Sequence, residues 1–81
     1  MPEIFRVKNL RFFFYSNEGT PREPLHIHVR AGHAKAKIWL EPTIGIAENI
    51  GFKSHELSAI LKHVIDNRFV IRRAWHDYFS N

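Results

Sequence analysis

His26 and His28 alternate along one short run, and Arg30, Lys35, Lys37 and Trp39 follow within the stretch Leu25–Leu40, LHIHVRAGHAKAKIWL. Two imidazoles beside three cations suit chemistry at a phosphate. Transesterification of RNA needs a base for the 2′-hydroxyl, an acid for the leaving oxygen, and positive charge for the phosphate in the transition state. His26 and His28 are the candidate catalytic pair, and Arg30, Lys35 and Lys37 the candidate phosphate ligands. Alternate residues of a strand lie roughly 6.5–7 Å apart between Cα atoms, so two leaning imidazoles can bracket a phosphate. A zinc site is the competing reading, because alternate strand histidines can both bind that ion. Its third ligand is unselected: Glu18, Glu23 and His33 are available and the spacing favours none. Three nearby cations also oppose a dication, so no metal and no cofactor is expected. The plainest reading makes both histidines partly buried rings, hydrogen-bonded to loop carbonyls.

A β-hairpin must position these groups. With period two, Leu25, Ile27 and Val29 share one face, and His26, His28 and Arg30 the other. Ala34, Ala36, Ile38 and Leu40 alternate in the same way with Lys35, Lys37 and Trp39. A two-residue loop at Gly32-His33 joins the runs without a slip, with Gly at the position a type II′ turn prefers. The register then sets Arg30 against Lys35, His28 against Lys37, Ile27 against Ile38, and His26 against Trp39. Like charges directly opposite cost a few tenths to about 1 kcal/mol. A solvated, lysine-rich face that discourages strand pairing tolerates that cost. The His-x-His pair favours an anion site instead, since lysines alone would serve for protection.

The rest of the chain supplies a partner layer. Ile4–Lys8 and Leu10–Ser16 read as strands with a turn at Lys8-Asn9. Phe5, Val7, Leu10, Phe12 and Phe14 then share one face; Arg6, Arg11, Phe13 and Tyr15 share the other. Asn17–Pro24 is turn chemistry, and Pro42 stops the pairing after Leu40. Thr43–Ile46 is expected to add a short edge strand. Ser54 is the expected N-cap of a helix whose apolar stripe is Leu57, Ile60, Leu61, Val64 and Ile65. A second stripe, Val70, Ile71, Ala74, Trp75, Tyr78 and Phe79, is offset from the first, and a break at Asn67-Arg68 explains the offset. His55, His63 and His76 read as helix-surface residues. The fold class expected is α+β: a small antiparallel sheet of two hairpins, packed on one face by C-terminal helices. One domain spans 1–81, with the sheet in 4–40, a connector in 41–53 and helices in 54–79. Phe13, Tyr15 and Trp39 on the open face could stack bases or bury against a partner.

Totals narrow the classes. The chain has 81 residues, no cysteine, a net charge of +4 and 14% aromatic residues. Neither a disulfide framework nor a thiolate metal site is available, which fits a reducing cytoplasm. No apolar run approaches a membrane span. A small basic domain rich in aromatics leans toward nucleic acid or an acidic protein partner.

The segments MPEIFRVKNLRFFFYSNE, HIHVRAGHAKAKIWLEP, GFKSHEL and NRFVIRRAWHDYF together resemble the small bacterial proteins grouped as domain of unknown function 4160. The resemblance covers nearly the whole chain, and His-x-His-Val followed by Ala-Lys-x-Trp is its most specific part. It implies a component of a two-gene toxin–antitoxin pair whose partner is a small protein encoded by the adjacent gene. Two departures stand out: TPRE lengthens the loop between Gly19 and Pro24, and Lys8-Asn9 replaces a glycine-containing turn. Residues and resemblance together lead to a toxin-like protein acting on RNA or another phosphate-bearing ligand, with metal-independent endoribonuclease activity as its enzymatic form. The alternative is a non-catalytic nucleic-acid- or protein-binding regulatory subunit of the same pair.

Overall fold

The computed structural model describes residues 3–16 and 23–79. Five strands form one antiparallel sheet in sequence order: β1 (Glu3–Val7), β2 (Leu10–Phe13), β3 (His26–Ala31), β4 (Ala34–Trp39) and β5 (Gly45–Ile50). Two helices follow, α1 (Ser54–Asp66) and α2 (Arg68–Phe79). The α+β architecture expected from the sequence is therefore present.

The central hairpin has the register that residue parity requires. His26 pairs with Trp39, Ile27 with Ile38, His28 with Lys37, Arg30 with Lys35, and Ala31 with Ala34. Gly32 has φ 59°, and positive φ among non-glycine residues described occurs at Lys8 and not at His33. A left-handed first position followed by an ordinary second one is the type II′ pattern. The first hairpin also turns at Lys8-Asn9, pairing Val7 with Leu10, Arg6 with Arg11, and Phe5 with Phe12. Lys8 takes φ 55° there, a backbone region that costs a residue with a Cβ roughly 1–2 kcal/mol. The glycine expected by resemblance would have avoided that cost, but its absence does not prevent the turn.

Besides β1, which runs Glu3–Val7 rather than Ile4–Lys8, three boundaries differ from expectation. β2 ends at Phe13 rather than Ser16. The edge strand is Gly45–Ile50 rather than Thr43–Ile46, because pairing with β4 overrides the weak strand preference of Ala47-Glu48-Asn49. Asn49 then serves the exit from the sheet. Its side-chain carbonyl accepts from the Phe52 N–H at 3.1 Å, and its amide donates to the Phe52 carbonyl at 3.0 Å, with the Phe52 ring in the core. The third difference is the cap of α1. Lys53 occupies the N-cap position and Ser54 the first helical one, with the Glu56 carboxylate accepting from the Lys53 N–H at 2.7 Å.

Both helices lie against the apolar sheet face. Phe12, Phe14, Ile27, Val29, Ile38 and Leu40 meet Ile60, Val64, Ile71 and Trp75 in one core. The break between helices falls at Asn67, whose side-chain amide and N–H both donate to the His63 carbonyl, at 2.8 and 3.1 Å. The buried stripe of α2 is narrower than its sequence pattern: Ile71 and Trp75 are buried, whereas Val70 is 53% and Tyr78 44% exposed. Ile65 of α1 is 44% exposed too. The sheet covers only the centre of each helical stripe, so its flanks stay exposed. His55 and His76 are exposed as expected, but His63 is half-buried with its ring edge-on to Phe12 at 6.3 Å.

Thermal or denaturant unfolding separates these contributions. Trp75→Ala should cost about 3–5 kcal/mol, the range for buried aromatic truncations, while Val70→Ala should cost well under about 1 kcal/mol. Lys8→Gly should stabilise by about 1 kcal/mol through release of the left-handed backbone cost, partly offset by glycine's greater freedom when unfolded. Equal losses at Trp75 and Val70 would contradict this packing.

Candidate functional site

The sheet face away from the helices is organised in rows that cross the strands. One row runs Arg6–Arg11–Arg30–Lys35 through successive cross-strand pairs of β1 to β4. All four side chains belong to exposed residues. The neighbouring row runs Phe13–His28–Lys37–Glu48 across β2 to β5, and Glu3 of β1 opposes Phe13. A third row holds His26 and Trp39. Adjacent strands lie roughly 4.8 Å apart, so the cation row is about 14 Å long from end to end.

Arg30 and Lys35 are therefore brought together as expected, and the sheet adds Arg6 and Arg11 beside them. The sequence puts Arg6 and Arg11 on the open side of the first hairpin. Asn17–Pro24 carries no register signal, so the alignment of that hairpin with β3 cannot be read from it. Glu3 braces one end of the row. Its Oε1 accepts from Arg6 at 3.0 Å and from Arg11 at 3.1 Å. The Arg6 hydrogen bond, followed by that from Arg11, holds the Glu3 carboxyl below its ordinary pKa. Among the described residues, neither Arg30 nor Lys35 has such an acidic partner.

Lys37 is differently placed. Its ammonium donates to Glu23 at 2.7 Å and lies 4.5 Å from the Trp39 ring centroid, with only 15% of the side chain exposed. Its charge is largely engaged within the protein. Glu23 is thus an ion-pair partner of Lys37; Glu18 lies outside the described residues. His33 stands in the turn at the far end of the hairpin from His26.

The two histidines meet, but in unequal surroundings. Their ring centroids are 5.2 Å apart and nearly perpendicular. His26 is 1% exposed, and its Nδ1 lies 2.8 Å from the Pro24 carbonyl, which can only accept; Nδ1 is therefore the protonated donor. Trp39 and Trp75 approach the same ring at 5.4 and 5.3 Å, linking the open face to α2. His28 is half-buried. It stacks on Phe13 at 5.7 Å and 25°, and Tyr15 closes on it at 4.4 Å. Of the three aromatics expected on this face, Phe13 is buried, while Tyr15 and Trp39 remain partly exposed.

Beside His28 lies a cavity of about 90 Å³, bounded by Phe13, Tyr15 and His28 on one side and Glu48 and Ile50 on the other, with Lys35 and Lys37 between. Glu48 and Ile50 escape sequence reasoning because the edge strand is expected to end before them. The alternation of Ile46, Glu48 and Ile50 was the available signal, obscured by weak strand formers between them.

A small α+β protein with a basic, aromatic sheet face is thus defined by fold and surface. The model of the family described as Domain of unknown function (DUF4160) matches residues 9–76, and the chain belongs to that family. No curated protein and no solved structure matches the chain. Among the described residues, no helix is long and apolar enough to cross a membrane.

The Glu3 brace has a definite pH signature. A carboxylate whose folded pKa is depressed stabilises the fold above its unfolded pKa, and that contribution is lost as pH falls through the folded value. Wild type should melt above Glu3→Gln at neutral pH, by a small margin that salt reduces because the pair is exposed. The difference should vanish in acid, below the ordinary carboxylate range. A difference that persists there would assign the effect to something other than the two arginines.

Proposed function

We propose that this protein binds RNA through the open face of its sheet, as one component of a bacterial two-gene toxin–antitoxin pair. The observation that carries the RNA reading is the cation row Arg6–Arg11–Arg30–Lys35, flanked by the row that holds Phe13 and His28. Like charges in adjacent ladder positions cost stability, and a polyanion laid along them reverses the sign of that cost. Aromatic side chains beside a basic track are the usual platform for single-stranded bases. The two-gene assignment is supported by the family resemblance, which also implies a small cognate protein as the partner.

Binding without cleavage is favoured over ribonuclease action by the burial of His26. A ring 1% exposed and held by a backbone carbonyl does not reach a scissile phosphate. Cleavage needs one group to take the 2′-hydroxyl proton and another to protonate the leaving oxygen. His28 is placed for only one of those transfers. In this reading His26 orients His28, and Arg30 and Lys35 contact phosphate while Lys37 supports the aromatic wall.

Fluorescence anisotropy with a labelled single-stranded RNA, repeated over a range of salt, tests this reading. Arg30→Ala and Lys35→Ala should each weaken binding and flatten the log Kd against log salt slope by about 0.7. Their melting temperatures should be unchanged or slightly higher. Unchanged affinity in both variants would remove the RNA reading. RNA should also stay intact during incubation, and cleavage abolished by His28→Ala would replace binding with catalysis. Induced expression should slow growth, and co-expression of the adjacent gene's product should relieve it.

A further inference from the structure

The cavity beside His28 combines groups that a phosphate track does not need. We propose that it is a guanine-binding subsite for a base of the bound single strand, with Glu48 as the residue that selects the base. This rests on the RNA reading and adds a specificity to it.

Glu48 opposes Lys37 in the β4–β5 register, yet the Lys37 ammonium turns away to Glu23 at 2.7 Å. Among the described residues, Glu48 makes no hydrogen bond or ion pair, and it lines the cavity. The opposite wall is the aromatic group of Phe13, Tyr15 and His28. His28 and Glu48 lie two strands apart, about 9.5 Å between backbones, and Lys37, which lines the cavity between them, sends its ammonium out toward Glu23. Ile50, 56% exposed, adds an apolar flank on the Glu48 side. A flat ring can therefore rest against an aromatic wall while its edge meets a carboxylate.

The carboxylate decides which ring fits. Ionised, it offers only acceptors, in the paired geometry that receives two parallel N–H donors. Guanine is the RNA base whose Watson–Crick edge presents two adjacent N–H donors, N1–H and the N2 amino group. Adenine sets an acceptor ring nitrogen at that place, cytosine another, and uracil flanks its single N–H with two carbonyls. Each of these leaves a carboxylate facing a lone pair. Bases in single strands are read in this way, by stacking plus hydrogen bonds along the Watson–Crick edge. The cation row lies one ladder step from the His28 row, so a backbone following it delivers a base to this cavity. Lys35 belongs to both, at the junction of track and cavity.

The test uses the full chain and four labelled uridine-rich oligoribonucleotides of about ten nucleotides, identical except for G, A, C or U at one central position. Equal phosphate number removes the non-specific contribution from the comparison. The G oligomer should bind more tightly than the others by about tenfold or more, as a bidentate contact supports. Glu48→Gln should erase that preference by weakening binding of the G oligomer. The A, C and U oligomers should bind as tightly as before or more tightly, because a negative charge facing their lone pairs is gone. Glu48 is exposed on an edge strand, and a melting curve of the variant checks that it folds as wild type does. Equal binding of all four oligomers, or a G preference that survives Glu48→Gln, overturns the guanine subsite alone. Salt-sensitive binding of none of them overturns the RNA reading, and the subsite with it.

Discussion

The register of the β3–β4 hairpin is the constraint on which everything else depends. A slip of one residue would carry Ile27, Val29 and Ile38 to solvent and turn His28, Arg30 and Lys37 toward the helices. The chain fixes the register with a two-residue loop whose Gly32 takes the left-handed position. It then rewards that register with burial, since Ile27, Val29 and Ile38 are all wholly buried under the helices. The charged face is thus a consequence of core formation. Its cations stand in a row because the residues behind them must face Ile60, Val64, Ile71 and Trp75.

That consequence opposes folding, and the chain answers it locally rather than with a general excess of acid. Glu3 sits between Arg6 and Arg11, and Glu23 holds Lys37. Arg30 and Lys35, at the middle of the sheet, gain no such neighbour among the described residues. A face neutralised beside Glu3 and Glu23 and left basic at Arg30 and Lys35 suits an anionic partner laid across the strands. His26 adds rigidity beneath it. Its ring joins Trp39 on the sheet to Trp75 on α2, so the aromatic wall around His28 is tied to the hydrophobic core.

Much of this was legible because period-two alternation is strong where one sheet face is buried. The hairpin pairs, the helix break at Asn67 and the open basic face all follow from residue spacing. The alignment of β2 with β3 was not legible, since pairing across Asn17–Pro24 depends on tertiary packing; the extension of the cation row to Arg6 and Arg11 was hidden with it. Glu48 was missed for a different reason. Its neighbours Ala47 and Asn49 are weak strand formers, and the strand extends through them because β4 offers an edge beside it. The depth of His26 also lay outside sequence reach. Parity places it on the face with Arg30, but the packing of Trp75, Trp39 and His28 around its ring accompanies its 1% exposure.

The two sides of the molecule differ enough for one measurement to separate them. Phe69 and Val70 leave apolar surface exposed on α2, on the layer opposite the cation row. Amide chemical-shift mapping by NMR, during titration with a single-stranded oligoribonucleotide, reports which layer the ligand meets. The account predicts the largest shifts at Arg11, His28, Arg30 and Lys35, with α1 and α2 nearly silent. Shifts concentrated around Phe69 and Val70, with the sheet unmoved, would contradict it.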